Sequence, residues 1–309
     1  MLEINKVHNG DCLELMKDIE TGSVDLILCD PPYGIVKNIG SSNVSHGMTG
    51  KTSWDEVIDT EKLFIEYERI LRENGTLILF SQEPYTSKLR TYNQYNLEFS
   101  YSLYWKKDHF ANALIAKKAP VSYVEDISVF HKKYDTQRVN DLRNYFEKLH
   151  NFIGLPKAEI VKMVGQKVDH VLRYGSTQFK LCKKETYIEL IEKFNIHMFE
   201  GFKTYEELED MNNKYAKVFN LKDSKFKSNI LEYKKDYDGF HPTQKPVSLF
   251  EDLINTYTDE GSLVLDNCSG SGTTAIACIN INRNFICIEK DIDYFNKSIN
   301  RVSSHKISC

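Results

Sequence analysis

Two short stretches of this chain carry residue types that could do chemistry. The first is Asp30-Pro31-Pro32-Tyr33, placed directly after the apolar run Val24-Asp25-Leu26-Ile27-Leu28-Cys29. Consecutive prolines hold a loop rigid and extended. Asp30 then offers a carboxylate, Pro31 a fixed carbonyl and Tyr33 a flat ring. Two such acceptors can hold an exocyclic NH₂ group while its ring stacks on the tyrosine. The plainer alternative is a strand cap with a buried tyrosine. The second stretch runs from Asp266 through Cys268, Gly270, Gly272, Thr273 and Thr274. A strand, a turn of small residues and a helix let a backbone approach a ligand closely and present free N–H groups. The following strand ends in Glu289, where a carboxylate can accept both hydroxyls of a ribose. The glycine turn alone is as well explained by structure. With Glu289, it favours a nucleoside-containing cofactor. No P-loop lysine is present.

The surrounding elements must place both stretches on one edge. Residues 4–9 read as a strand and 12–19 as a helix with Leu13 and Met16 on one side. Residues 24–29 read as a buried strand, and 34–53 form a Gly/Ser/Asn-rich loop of the kind that sits over active sites. A helix over 61–71 ends at Asn74-Gly75. Strands follow at 76–80, 101–105 and 126–131. After a loop at 241–246 come a helix at 247–256, a strand at 262–266, a helix at 275–281 and a strand at 284–289. Such alternation predicts an α/β fold with a doubly wound, mostly parallel sheet, which binds ligands at the carboxyl ends of its strands. The middle, about 132–238, reads as helical.

The composition sets bounds. The chain has 309 residues, 41% hydrophobic and 27% charged, with a formal net charge of −4. That profile is globular and soluble, and no run of about 18 apolar residues could span a bilayer. Residues 1–10 carry Glu3 and His8 and no signal core, so a cytoplasmic location is expected. Seven cysteines without a C-x-x-C pair argue against a disulfide framework or zinc knuckle. No metal-ligand cluster appears. Residues 1–100 hold 9 Lys and Arg against 16 Asp and Glu, whereas residues 101–200 hold 17 against 12. A basic middle suits a polyanion, or is a solvated surface.

Four motifs together resemble the S-adenosylmethionine-dependent DNA amino-methyltransferases. They are Gly10-Asp11-Cys12-Leu13, Asp30-Pro31-Pro32-Tyr33, His241-Pro242-Thr243-Gln244-Lys245-Pro246 and the turn from Asp266 to Thr274. Their order is similar to the beta group, whose seven-stranded sheet is circularly permuted. The resemblance implies S-adenosyl-L-methionine as cofactor. It places Asp11 and Cys12 at the adenine of that cofactor, with Lys290 nearby, and Glu289 at the ribose. Asp266, Cys268, Gly270, Gly272 and Thr273 would lie along the methionine part. Thr243 and Lys245 would lie near its carboxylate, and Asp30 would border the cofactor as well as the base. Asn267-Cys268 replaces the usual aromatic at the turn. The catalytic group would be Asp30, Pro31, Pro32 and Tyr33, acting on a base flipped from double-stranded DNA. An Asp at position 30 favours N6 of adenine; a Ser there goes more often with N4 of cytosine.

The division implied is 1–131 and 239–309 for the two halves of the methyltransferase domain and 132–238 for target recognition. Within the middle, helices at 156–163, 168–174 and 185–194 resemble a helix-turn-helix. That would turn Gln166, Lys167, His170 and Arg173 towards the major groove; an ordinary helical insertion is the equal alternative. Lys106, Lys107, Lys117 and Lys118 would touch phosphate, or are simply solvated. His109 reads as packed or solvated. Beta-group members often form homodimers, and a cognate restriction endonuclease is a further partner to expect. Three other functions compete: an N4-cytosine enzyme, a protein-glutamine methyltransferase and a non-catalytic DNA-binding regulator. Intact Asp30, Tyr33, Gly272 and Glu289 argue against the last.

Overall fold

The computed structural model describes residues 1–34, 56–92, 96–111, 116–221, 225–236 and 244–308. The strands are β1 (Lys6–Asn9), β2 (Val24–Cys29), β3 (Leu71–Ser81), β4 (Leu97–Ala111), β5 (Ser122–Lys132), β6 (Ile230–Glu232), β7 (Leu263–Asp266) and β8 (Asn284–Glu289). The helices are α1 (Cys12–Leu15), α2 (Thr60–Ile70), α3 (Tyr85–Thr91), α4 (Asp141–Ile153), α5 (Lys157–Val164), α6 (Lys184–Phe194), α7 (Tyr205–Lys214), α8 (Val247–Tyr257), α9 (Thr273–Asn280) and α10 (Ile292–Ser308).

All the strands lie in one sheet, ordered β1-β8-β7-β2-β3-β5-β4-β6. Neighbours from β1 to β3 are parallel, β5 runs antiparallel to both β3 and β4, and β6 is parallel to β4. The doubly wound, mostly parallel architecture is as expected. The count differs: among the described residues the sheet has eight strands rather than seven, because Ile230–Glu232 adds a short edge strand along Tyr104–Lys106.

Alternation along β2 explains the two-sided burial. Leu26 and Leu28 face one apolar cluster with Phe80, Phe250 and Val264; Ile27 and Cys29 face the other with Phe64, Tyr67 and Leu79. A strand buried on both faces must be a near-continuous apolar run, and β2 is one. The exception, Asp25, is paired with Arg72 at 2.5 Å. The chain passes from α2 into β3 at Leu71 without a loop, five residues before the strand start expected from Asn74-Gly75. Helix α1 is a single turn capped by Asp11, followed by a 3₁₀ turn at Met16–Asp18 instead of a helix to residue 19.

Parallel direction puts the carboxyl ends of β2, β7 and β8 on one edge. Because β5 is antiparallel, its beginning lies on that edge: Asp126 pairs with Ser81, the last residue of β3. Glu125 is thereby brought to the same edge, opposite Trp105 of β4.

The chain forms two compact units, residues 1–132 with 218–309 and residues 133–217. The second unit is helical, with its own core of Leu142, Phe146, Ile160, Val168, Tyr187 and Leu208. Helices α5 and α6 match the first and third helices expected there. The helix expected over 168–174 is not formed. Val168, Asp169, Leu172 and Arg173 each donate to the carbonyl three residues back, giving 3₁₀ turns. Three side-chain hydrogen bonds hold that stretch out of an α-helix. Arg143 Nη1 donates to the Tyr174 and Ser176 carbonyls (3.0 and 2.7 Å), and His170 Nδ1 meets the Gln178 carbonyl at 3.0 Å. A helix-turn-helix with a recognition helix at 168–174 is therefore absent.

Candidate active site at the carboxyl edge

Asp30 leaves the end of β2 with its side chain half-buried. Tyr33 Oη donates to Asp30 Oδ1 and lies 3.2 Å from Glu125 Oε1. Lys245, the last polar residue before α8, sends its ammonium to Asp30 Oδ2 and, at 2.9 Å, to Glu125 Oε1. Lys107 Nζ meets Glu125 Oε2 at 2.6 Å. Two carboxylates, two ammoniums and one phenol thus form a closed network, with Glu125 at its centre and only 4% exposed. The Lys245 ammonium also lies 5.3 Å from the ring centre of Phe80.

Burial pushes the Glu125 carboxyl up, but Lys245 and Lys107 outweigh it and hold it down at about 2. Asp30 moves the other way. Burial raises it, Lys245 opposes that, and the neighbouring Glu125 charge adds to the rise. Burial would lower Lys245, yet Asp30 and Glu125 raise it above the ordinary lysine value. Tyr33 is held protonated by burial and by both carboxylates, so it is a hydrogen-bond donor here.

The neighbouring strand ends make a different cluster. Asp266 is 4% exposed; it accepts from Thr274 Oγ1 and from the Cys268 N–H at 3.1 Å. Burial pushes it up to about 7, with Asp30 and Glu289 adding to the rise. Each Glu289 oxygen accepts a backbone N–H, from Gly270 and from Asp291, both at 2.8 Å. Asp11 caps α1 through Leu13 N–H at 3.0 Å and pairs with Lys290 at 2.9 Å. That lysine holds the Asp11 carboxyl low. Gly270 has φ +48°, and a Cβ there would meet nothing within 4 Å, so open space borders the turn. Gly272 serves packing instead: its missing Cβ would sit 3.2 Å from Ser298 of α10. Thr273 is buried behind it.

The structure therefore assembles Asp11, Cys12, Asp30, Pro31, Tyr33, Asp266, Cys268, Gly270, Glu289 and Lys290 on one edge. Lys245 is there too, but its ammonium is engaged by Asp30 and Glu125. Tyr33 is turned by the same bonds, its ring 6.1 Å from that of Tyr85 and tilted by 33°. The position of the usual aromatic is filled differently. Asn267 turns into the core and accepts from Tyr67 Oη at 2.8 Å, while Cys268 packs in the same cluster as Cys12.

Other expectations scatter. Lys107 is a buried partner of Glu125 rather than a surface cation. Lys106 is exposed and paired with Glu232 at 2.9 Å. In the helical unit, Lys167 pairs with Glu189, Arg173 with Asp169 at 2.6 Å, and Gln166 is exposed. His109 contacts Asp108 at 3.0 Å. Thr243 and the loop over 35–55 lie outside the described residues.

One residue of the edge, Glu125, lies outside every motif read from the sequence. Glu125 stands just before the apolar strand core, a position that reads as solvent-facing; the available signal was an acidic doublet opening a strand. Among the described residues, both amide atoms of the buried Gln244 are unpartnered, as is the Ser269 hydroxyl. Buried polar groups are normally satisfied. These orphans, together with the open space at Gly270 and the acidic cluster, fit a polar, cationic nucleoside ligand.

A family profile described as DNA methylase matches residues 24–300. The type II methyltransferase M.HindIII of Haemophilus influenzae is 24% identical, the match covering 99% of this chain and 97% of that protein. The DNA adenine methyltransferase YhdJ of Escherichia coli is 25% identical over 98% of this chain and 85% of its own. Among solved structures, the M1.HpyAVI–SAM complex superposes with a TM-score of 0.55 at 19% identity, covering 96% of this chain and 98% of that one. The cytosine-N4-specific PvuII DNA methyltransferase gives 0.51 at 12% identity, covering 97% and 90%.

Proposed function

Because the chain belongs to the N6/N4 DNA methylase family, we propose that it transfers a methyl group from S-adenosylmethionine to N6 of adenine in duplex DNA. The observation that carries this reading is Asp30, held by Tyr33 and Lys245 beside the Pro31 carbonyl at the sheet's carboxyl edge. When bound, S-adenosylmethionine supplies a sulfonium-activated methyl group. Glu289 would hold its ribose and Asp11 its adenine. Asp266 and the turn at Gly270 would border its cationic end.

The amino nitrogen of adenine is a poor nucleophile because its lone pair is delocalised into the ring. Asp30 and the Pro31 carbonyl accept its two N–H bonds and so localise that pair. An ionised carboxylate has about four acceptor sites, so Asp30 can serve the amino group while keeping Tyr33 and Lys245. The nitrogen sheds a proton once its bond to carbon has formed, and Asp30 is the nearest acceptor. Most of the rate enhancement then comes from positioning and fixed charge. Flipping the base unstacks it, and an aromatic contact recovers roughly 1–3 kcal/mol per base. The basic, helical middle is proposed as the target reader, without a recognition helix at 168–174.

N4 of cytosine keeps every step and is the second reading. Asp30, rather than serine, favours adenine, as does the name borne by the Escherichia coli relative. Nucleoside mass spectrometry after incubation with S-adenosylmethionine and unmethylated genomic DNA tests this. N6-methyladenine is expected from the wild type and none from Asp30→Ala. N4-methylcytosine would replace the base assignment, and no methyl transfer to DNA would overturn the reading.

A further inference from the structure

We propose that Glu125 is a positioning residue for methyl transfer: it anchors Tyr33 Oη and Lys245 Nζ so that each grips one carboxylate oxygen of Asp30. The inference rests on the functional reading above and adds to it a residue outside every motif. Glu125 contacts three of the four other members of the network: Tyr33 at 3.2 Å, Lys245 at 2.9 Å and Lys107 at 2.6 Å. Among the described residues, Asp30 contacts two of them, Tyr33 and Lys245. Those two are the ones it shares with Glu125.

This arrangement solves a physical problem. Asp30 must be ionised to accept the amino group, yet it sits in a poorly solvated loop. One ammonium beside it would favour ionisation, but a lysine on a flexible stem has no fixed geometry of its own. Glu125 supplies that geometry by holding Lys245 through a second ion pair at 2.9 Å. It also holds Tyr33 as a donor, since a phenol between two carboxylates keeps its proton. Lys107 then balances the charge that Glu125 brings in, so the network carries two anions and two cations. Burying an ion without such partners is costly, which explains why four groups from four separate segments converge.

The groups facing Asp30 and Glu125 come from every neighbouring element. They are Tyr33 on the loop after β2, Lys107 on β4, Lys245 before α8 and Asp266 at the end of β7. Lys235, after β6, is also within electrostatic reach of Glu125, Lys107 and Lys245, and its own affinity for protons is lowered by burial and by those two lysines. Removing the charge of Glu125 takes away a like charge that raises Asp30. It therefore lets Asp30 ionise at lower pH while loosening its grip on the base.

The test is steady-state methyl transfer to DNA by wild type, Glu125→Gln, Glu125→Asp and the charge-balanced pair Glu125→Gln/Lys107→Met, across pH and over a range of cofactor concentrations. The paired variant covers the case in which Glu125→Gln alone misfolds by stranding Lys107. Misplaced reacting groups cost up to roughly 100-fold in rate. Glu125→Gln and the paired variant are expected to lose about 10- to 100-fold in kcat. KM for the cofactor should stay within about threefold. The acid limb of the rate profile should move to lower pH, and Glu125→Asp should recover part of the rate. A kcat within about twofold of wild type, or a loss with the acid limb unmoved, would overturn the proposal. If the wild type itself transfers no methyl to DNA, the functional reading fails first and this inference falls with it; a methylating wild type isolates the role of Glu125.

Discussion

Glu125 and Asp266 are equally buried carboxylates on the same sheet edge, and they titrate in opposite directions. Glu125 is held down at about 2, whereas Asp266 is pushed up to about 7. Burial penalises both charges. The difference is company: Glu125 has Lys245 and Lys107 within 3 Å, while Asp266 has only a hydroxyl, a backbone N–H and more carboxylates nearby. The edge is thus divided. The side that would take the base is neutralised by built-in ammoniums, so it can receive an uncharged amino group. The side that would take the cofactor is left acidic, so it attracts a cation to complete its balance. Sign of charge, more than depth of burial, distinguishes the two halves.

The sharpest way to break this contrast is Lys245→Met. Two carboxylates would then lose their shared ammonium, and leaving a buried charge without its partner costs about 3–5 kcal/mol. Urea unfolding should register that loss; an unchanged midpoint would mean that the network is not formed. Next in size is Asp266→Asn. Cofactor affinity measured by calorimetry should fall roughly tenfold, the equivalent of one lost charge interaction. The unliganded protein at pH 8 should become more stable, because a buried charge has been removed. A less stable variant would refute the division.

The pH dependence follows with its sign. Asp266 has a raised folded pKa, so its contribution favours the folded state below 3.8 and is lost as pH rises towards about 7. Glu125 has a lowered one: its contribution is present above 4.5 and lost as pH falls towards about 2. Thermal unfolding of wild type minus Asp266→Asn should isolate the first trend between those values. Cofactor affinity of the wild type should weaken as pH drops below about 7, as Asp266 takes up a proton. The smallest effect is expected from Arg173→Ala in the helical unit. Its pair with Asp169 lies at the surface, where solvent screens it, so stability should change little. A larger loss of DNA affinity than of stability would mark it as a contact to DNA.

Parts of this site were legible in the sequence because their signals are local. An apolar run followed by Asp30-Pro31-Pro32-Tyr33 states both the strand and what stands at its end. The same holds for the strand before Asp266 and the one ending at Glu289. Other parts were not legible. Glu125 looks like the polar margin of a strand until the antiparallel pairing of β5 places it on the carboxyl edge beside Asp30. Lys107 looks like one of several surface lysines until Glu125 takes it inward. Residues 168–174 have helical spacing, but Arg143 and Gln178 capture atoms at distant positions, and no local propensity contains that information.

The sequence by itself determined the alternation of strands and helices around the two motifs, the glycine turn, and the candidate groups at the strand ends, because periodicity and short motifs need only near neighbours. The tertiary structure alone decided which charges neutralise one another. Lys245 and Asp30 lie 215 residues apart in the chain, and only the closure of the sheet brings both to Glu125. An ion's cost or benefit depends on partners within a few ångströms, and those distances exist only in the folded chain.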